Sequence, residues 1–256
     1  MLDDIPDNFK KNSQSSEGFA HAKLANELSK AIKKNIYFVP RIYSNEQIIE
    51  KPSYLKDLAK HLNSSIKLFY CGEFMVAKNI LHADFKSISS IFKNKIIFWD
   101  NLYANDYCPR KFFVGQWKNR DNNLNILINP TGMINTDLFI LDVVAISGDK
   151  NTFNINYEKT LKKHKIPKQF KFVKHYFDNP HFSSSNNKAI KIEPSKNVID
   201  TLDYLLWRWK SKLSLEWYPF LLILKQDLSI ELNEYSNNRI IKNQTLPLAK
   251  KLLKNS

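Results

Sequence analysis

An α/β fold built on a parallel sheet is what this sequence predicts, on three observations. Short apolar runs that are β-branched or aromatic recur through the first 150 residues: IYFV (36–39), IKLFY (66–70), KIIFW (95–99) and NILI (125–128). These runs are nearly continuous rather than alternating, as in strands covered on both faces. Amphipathic helical stretches lie between them, and strands that alternate with helices make βαβ units. A (β/α)8 barrel and a doubly wound sheet are the two architectures such units build. A doubly wound sheet usually opens with a glycine-rich turn; this chain has five glycines and no G-x-G-x-x-G.

Each element has its own local warrant. GFAHAKLANELSKAIKK (18–34) sets Phe19, Ala22, Ala25, Leu28 and Ile32 along one helical face, and YLKDLAKHL (54–62) and FKSISSIFK (85–93) repeat the pattern. Polar residues stand at several strand ends: Asp3 and Asp4, Tyr43, Trp99 to Asn101, and Asn129 before Pro130. In a barrel of this kind the chemistry sits at the C-terminal strand ends. Residues 1–150 therefore read as one α/β domain, and residues 151–256 as a basic, mostly helical extension. Within the extension, KNVIDTLDYLLWRWKSKLSLEWYPFLLILKQDLSIELNEY (196–235) predicts two or three helices with an interruption near Pro219. Trp207, Trp209 and Trp217 form either a core or docking cluster or, alternatively, a sugar platform.

Composition narrows the function classes. The 256 residues are 43% hydrophobic, 13% aromatic and 25% charged, which excludes wholesale disorder. No apolar run reaches the roughly 18 residues of a membrane span, and no signal peptide is visible at the N-terminus. The compartment stays open. Two cysteines, Cys71 and Cys108, exclude a disulfide framework, and the six histidines show no metal-binding spacing such as H-E-x-x-H. His21 falls on the first helical face and reads as structural. The net charge is +14, yet only Arg41, Arg110, Arg120, Arg208 and Arg239 contribute guanidinium groups. Readers of nucleic acid lean on arginine forks, so no nucleic-acid partner is expected. The densest basic stretch, EKTLKKHKIPKQFKFVKH (158–175), reads as a solvated helix face and loop, with a polyanion site as the alternative.

One run carries chemistry. FWDNLYANDYCPRKFFVGQW (98–117) is too long and too aromatic for a casual loop, and it offers Trp99, Asn101 and Asp106 just after a buried strand. An aromatic wall with amide and carboxylate forks suits the hydroxyls of a sugar. The adjacent carboxylates Asp3 and Asp4 are, taken alone, as compatible with a solvated turn as with catalysis. Taken alone, too, Tyr43 is a boundary tyrosine, Asn129 a turn residue and Asp106 a loop cap.

In order and spacing, four segments resemble the family 84 glycoside hydrolases, which comprise protein O-GlcNAcases and related bacterial β-N-acetylglucosaminidases, some historically called hyaluronidases. IIFWDNLYANDYCPRKFFVGQWKNR (96–120) resembles the family's seventh-strand region. LDDI (2–5) is similar to its catalytic aspartate pair, GFAHAKLANEL (18–28) to the helix that follows, and ILINPTGMIN (126–135) to the eighth-strand segment with its sugar-binding asparagine. The resemblance covers residues 1 to about 146.

That resemblance implies hydrolysis of a terminal β-linked N-acetylglucosamine (GlcNAc) by a substrate-assisted route. The acetamide carbonyl oxygen attacks the anomeric carbon and forms an oxazoline, so the two-carboxylate distance rule does not apply and no cofactor is needed. By the resemblance Asp3 accepts the acetamide N–H as a carboxylate, and Asp4 protonates the leaving oxygen. Two like charges side by side hold their pKa values apart, as these roles require. Tyr43 and Trp99 are implied in the acetamide pocket, Asn101 near the reacting centre, and Asp106 and Asn129 on the sugar hydroxyls.

One departure shapes the expected fold. In the family the aspartate pair follows the fourth barrel strand, whereas here it stands at positions 3 and 4. The expectation is the C-terminal part of a (β/α)8 barrel, about five βα units, without the first three units and most of the fourth strand. Five strands cannot close an eight-stranded barrel. The missing half is expected from a longer parent protein, or from another chain, which includes a homo-oligomer. An inactive remnant or a lectin-like GlcNAc-binding module is the competing reading. A GlcNAc-containing glycan or glycoprotein is the expected partner.

Overall fold

The computed structural model describes residues 16–49, 52–149, 151–181 and 196–232. They form an α/β protein with a four-stranded parallel sheet. The elements run α1 (Glu17–Ile32), β1 (Tyr37–Phe38), α2 (Asn45–Ile48), α3 (Tyr54–His61), β2 (Lys67–Tyr70), α4 (His82–Ser89), β3 (Ile96–Asp100), β4 (Ile126–Ile128), α5 (Ile134–Ile146), α6 (Phe153–Lys163), α7 (Lys196–Trp207) and α8 (Lys212–Glu231), with two short 3-10 turns between α6 and α7. The strand order is β1-β2-β3-β4, all pairs parallel. Each strand thus pairs with its successor, without the reversal of order that marks a doubly wound sheet. The arrangement is compatible with part of a (β/α)8 barrel. All four apolar runs expected as strands are strands.

The chain divides into two compact units. The first holds the sheet and α1–α4 and takes in residues up to Asn101 together with Asn119–Asn129. Register puts Phe38, Leu68 and Ile96 on one face of the sheet, and Tyr70, Phe98 and Ile126 continue that face. It packs on Ala22 and Ala25 of α1, Leu55 and Leu58 of α3, and Ile88 of α4 in one buried cluster. On the opposite face, Tyr37 stacks on Phe69, and Phe69 meets Trp99 edge to face at 4.9 Å.

Helix α1 begins where Ser16 accepts the Phe19 N–H, an N-cap of the ordinary kind. Its buried line is Gly18, His21, Ala22 and Ala25, while Leu28 and Ile32, expected on the same face, remain about half exposed. The contact with α3 is thus made by small residues. A Cβ on Gly18 would stand 2.4 Å from the Tyr54 carbonyl oxygen and 2.8 Å from the Leu58 nitrogen. His21 Nδ1 lies 3.0 Å from the Tyr54 hydroxyl, which agrees with a structural histidine. Burial pushes the Tyr54 hydroxyl well above its ordinary pKa. Helix α4 starts three residues before the expected 85–93, because the Asp84 carboxylate accepts the Leu81 N–H at 2.7 Å and closes a first turn there.

The second unit comprises residues 102–118 and 130 onward. Its core is aromatic. Phe112 lies 4.8 Å from Trp217 and 4.9 Å from Phe177, and Phe170 lies 5.1 Å from Trp217. Trp209 and Trp217 are buried but Trp207 is 54% exposed, so two of the three tryptophans are core. Pro219 does not interrupt a helix. α8 runs through it, and the break falls before Ser211, whose hydroxyl caps α8 by accepting the Ser214 N–H. One hydrogen bond forfeited to proline is tolerated because the helix is anchored on both sides by buried Leu213, Trp217, Leu221 and Leu224. In the basic stretch, Lys159, Lys162, Lys165, Lys168 and Lys171 are exposed around buried Leu161, Ile166 and Phe170, as a solvated face requires.

Helix α5 is joined to α8 by a carboxylate at its N-terminus. Glu216 accepts hydrogen bonds from the backbone N–H groups of Asn135 and Thr136 at 2.9 and 2.8 Å, and from their side chains at 2.6 and 2.7 Å. The helix dipole favours a negative charge there. Partial burial raises the Glu216 pKa, but these donors outweigh it and hold the group below its ordinary value of 4.5. Because the folded pKa is depressed, the stabilisation is complete above the unfolded value and is lost as pH falls through the folded one.

Two outcomes are expected. Gly18→Ala should destabilise the protein in urea unfolding, although alanine is the better helix former by about 1 kcal/mol, because the methyl group meets backbone atoms. Glu216→Gln should unfold more readily at pH 7, and its stability should fall less than that of the wild type on acidification below about pH 4.5.

Candidate functional site

Four of the residues singled out from the sequence, Tyr43, Trp99, Asn101 and Asn129, come together in the first unit, at or just past the ends of β1, β3 and β4. Trp99 lies on β3 and faces away from the helix-covered side, because Phe98 on its flank is buried among the helices. Pleating returns Asn101, one residue past the strand, to the face of Trp99. Asn129 stands in the same relation to Leu127 on β4, and Trp99 pairs with Leu127 in the ladder. The ladder extends one step further, with Asn129 N–H donating to the Asp100 carbonyl at 2.9 Å. Asn129 Nδ2 then donates to Asn101 Oδ1 at 3.0 Å. The two amides are therefore fixed in orientation relative to each other.

Tyr43 reaches this group through the loop after β2. Its backbone carbonyl accepts the Cys71 N–H at 2.7 Å, and its hydroxyl donates to the Met75 sulfur at 3.3 Å. Asn101 Nδ2 donates to the Met75 carbonyl at 2.8 Å. Met75 thus stands between Tyr43 and Asn101. The loop leaves β2 through Gly72, whose φ of +94° suits glycine alone. Asn45 N–H donates to the Gly72 carbonyl at 2.9 Å, Asn45 Oδ1 accepts the Tyr70 hydroxyl at 2.6 Å, and Glu46 accepts the Met75 N–H. The short α2 is in this way tied to the same loop. Burial raises the pKa of the Tyr70 hydroxyl, which keeps it a donor.

Under this surface lies an ion pair that sequence reasoning did not single out. Asp100 points to the helix side of the sheet, and its side chain is 0% exposed. Arg120, 2% exposed, meets it with a two-pronged fork: Nε to Oδ2 and Nη2 to Oδ1, both at 2.8 Å. The same guanidinium donates to the carbonyls of Ala77 at 3.0 Å and Lys78 at 2.9 Å. Around it, Ile80 N–H donates to the Asn119 carbonyl and Asp121 N–H to the Ile80 carbonyl, both at 2.9 Å. A buried carboxylate of this kind persists only when its charge is paired and its lone pairs are filled. A signal was present in the sequence: arginine is scarce in this lysine-rich chain, and Arg120 closes the 96–120 run.

Three further candidate residues are not part of this hydrogen-bonded group as described. Asp106 belongs to the second unit, where it is exposed and accepts the Tyr107 N–H at 2.9 Å. The rest of the aromatic run is mostly core of that unit: Tyr103, Phe112 and Phe113 are buried, and the Tyr103 hydroxyl donates to the Gly115 carbonyl at 2.8 Å. Of the aromatic wall expected over 98–117, Trp99 is the half-exposed member at a strand end. Asp3 and Asp4 lie outside the described residues. Among the described residues no group of three or more histidine, cysteine or acidic side chains is arranged to hold a metal ion. No helix among them is long and apolar enough to cross a membrane.

The family model for beta-N-acetylglucosaminidase matches residues 1–174. The chain belongs to the beta-N-acetylglucosaminidase family. The matched region holds the whole sheet and every candidate residue, from Asp3 to Asn129. Among curated relatives, Protein O-GlcNAcase of Rattus norvegicus is 27% identical over 143 residues, which is 51% of this chain and 16% of that protein. Protein O-GlcNAcase of Mus musculus matches with the same identity and the same coverage. The chain thus spans 16% of the length of the curated relatives it matches.

The ion pair and the exposed aspartate should respond differently to truncation. Asp100→Ala strands the Arg120 charge in a dry setting and should cost about 3–5 kcal/mol in denaturant unfolding. Asp106→Ala, at an exposed turn, should change stability by less than about 0.5 kcal/mol.

Proposed function

We propose that this chain carries the catalytic part of a beta-N-acetylglucosaminidase that removes terminal β-linked GlcNAc from a glycan or glycoprotein. The single observation that carries the proposal is the family match across residues 1–174. The geometry of Trp99, Asn101 and Asn129 on one face of the strand ends supports it, because an aromatic wall beside two oriented amides suits a sugar with hydroxyl and acetamide groups.

The mechanism proposed is substrate-assisted, with retention of configuration. The acetamide oxygen displaces the leaving group and forms an oxazoline, which water then opens. Asp3 as a carboxylate accepts the acetamide N–H and favours the developing charge. Asp4 as a carboxylic acid gives its proton to the leaving oxygen, and afterwards takes one from water. Tyr43 and Trp99 bound the acetamide, Asn101 orients the sugar near its anomeric carbon, and Asp106 and Asn129 hold hydroxyls. Four parallel strands do not enclose such a site, so further strands complete it, from outside the described residues or from another polypeptide.

The test is hydrolysis of a fluorogenic β-N-acetylglucosaminide by the full chain, alone and co-expressed with a polypeptide that supplies the remaining barrel strands. Turnover is expected, with Asp4→Asn slower by about 100- to 10,000-fold at unchanged fold. Equal turnover by Asp4→Asn would remove the acid role. Sugar binding without turnover in either form would replace the hydrolase with a GlcNAc-binding module.

A further inference from the structure

We propose that Arg120 is a positioning residue for the sugar site, acting through the loop at residues 72–79. The consequence for sugar binding rests on the function proposed above; the mechanical part does not. Arg120 grips two parts of the chain that carry site side chains. Through its fork on Asp100 it holds the residue whose neighbours on either side are Trp99 and Asn101. Through the carbonyls of Ala77 and Lys78 it holds the returning limb of the loop that carries Met75.

Met75 is the point where these two grips meet the site. Its carbonyl takes the Asn101 amide, its sulfur takes the Tyr43 hydroxyl, and Asn101 in turn takes the Asn129 amide. A shift of the loop relative to β3 would therefore rotate Asn101, and Asn129 after it. The guanidinium suits this task because it is planar, permanently charged and able to donate in several directions at once. Lysine at the same position could neutralise Asp100, but a single ammonium cannot span both carboxylate oxygens and two carbonyls. The pair is also too deep for solvent to screen or replace it, with both side chains almost fully covered.

The experiment uses the full chain with asparagine side-chain nitrogens labelled, and Arg120→Lys as the variant. The Asn101 amide signal is assigned by its loss in Asn101→Ala. Gly18→Ala serves as a control that weakens the same unit without touching this network. In Arg120→Lys we expect a folded protein whose Asn101 and Asn129 amide signals shift, and whose affinity for free GlcNAc falls by about 5-fold, the worth of one lost hydrogen bond. In Gly18→Ala those signals and that affinity should stay as in the wild type. Unshifted amide signals in Arg120→Lys, or unchanged affinity despite a shift, would overturn the positioning role. Should the wild type bind no GlcNAc, the sugar reading fails by itself, and the sugar-free amide shifts still decide the mechanical part. Should Arg120→Lys not fold, hydrogen exchange in the wild type decides: common opening of Arg120 Nε–H and Asn101 Nδ2–H supports the proposal, and independent opening overturns it.

Discussion

A carboxylate at the end of β3 has to be buried, and much of the first unit follows from how that is made tolerable. Asp100 alternates with Phe98 and Ile96 onto the helix side of the sheet, where it has no access to water. An isolated ionised carboxylate there would cost far more than a domain can spare. Arg120 meets it with two parallel hydrogen bonds, which demands that the segment after residue 118 return to the sheet before β4 starts. The surplus donors of the guanidinium then need acceptors, and the backbone after β2 provides them at Ala77 and Lys78. Three consecutive parts of the chain are bound at one charge, and the candidate site sits directly on the other side of the strand.

Arginine and lysine divide the labour in this protein. Arg41 pairs with buried Glu17, Arg110 with buried Asp227, and Arg120 with buried Asp100. Lysines of the basic stretch stay on exposed faces, apart from half-buried Lys174, which pairs with Asp178. The difference is physical: the guanidinium is weakly hydrated and forked, whereas the ammonium is compact and strongly hydrated. A net charge of +14 is therefore mostly solvated lysine and says little about partners. Arg41, Arg110 and Arg120 serve buried carboxylates, whereas Arg208 is exposed and, among the described residues, Lys111 is the lysine that is buried.

The second unit shows that the helices after the sheet are not an ornament. Glu216, Trp217 and Thr136 form one connected group, since the Trp217 Nε1–H also donates to the Thr136 hydroxyl at 2.9 Å. Helix α5, which follows the last strand, has its N-terminus satisfied by a residue of α8, and the segment at 102–118 is packed against the same aromatic core. An α5 without α8 would leave first-turn donors unmet and Phe139 without Trp217, which lies 6.1 Å away.

The sequence by itself determined the alternation of strands and helices, the four strand runs, and the ordered motifs that place the chain in its family. Those signals are local: a period of two or 3.6 residues, or a contiguous run, is complete within a dozen positions. It placed Trp99, Asp100, Asn101 and Asn129 near strand ends and counted Arg120 among five arginines, but it did not join Asp100 to Arg120. Only the tertiary structure decided that Asn101 and Asn129 share a hydrogen bond, that Met75 joins Tyr43 to Asn101, that Pro219 lies inside a helix, and that Phe112 and Phe113 are core instead of a sugar-facing wall. Those outcomes depend on pairings across wide separations, 20 residues for Asp100 with Arg120 and 80 for Thr136 with Glu216. Pleating says that neighbours point to opposite faces, but which face is covered is settled by the helices that pack there, and no local pattern in the chain records that.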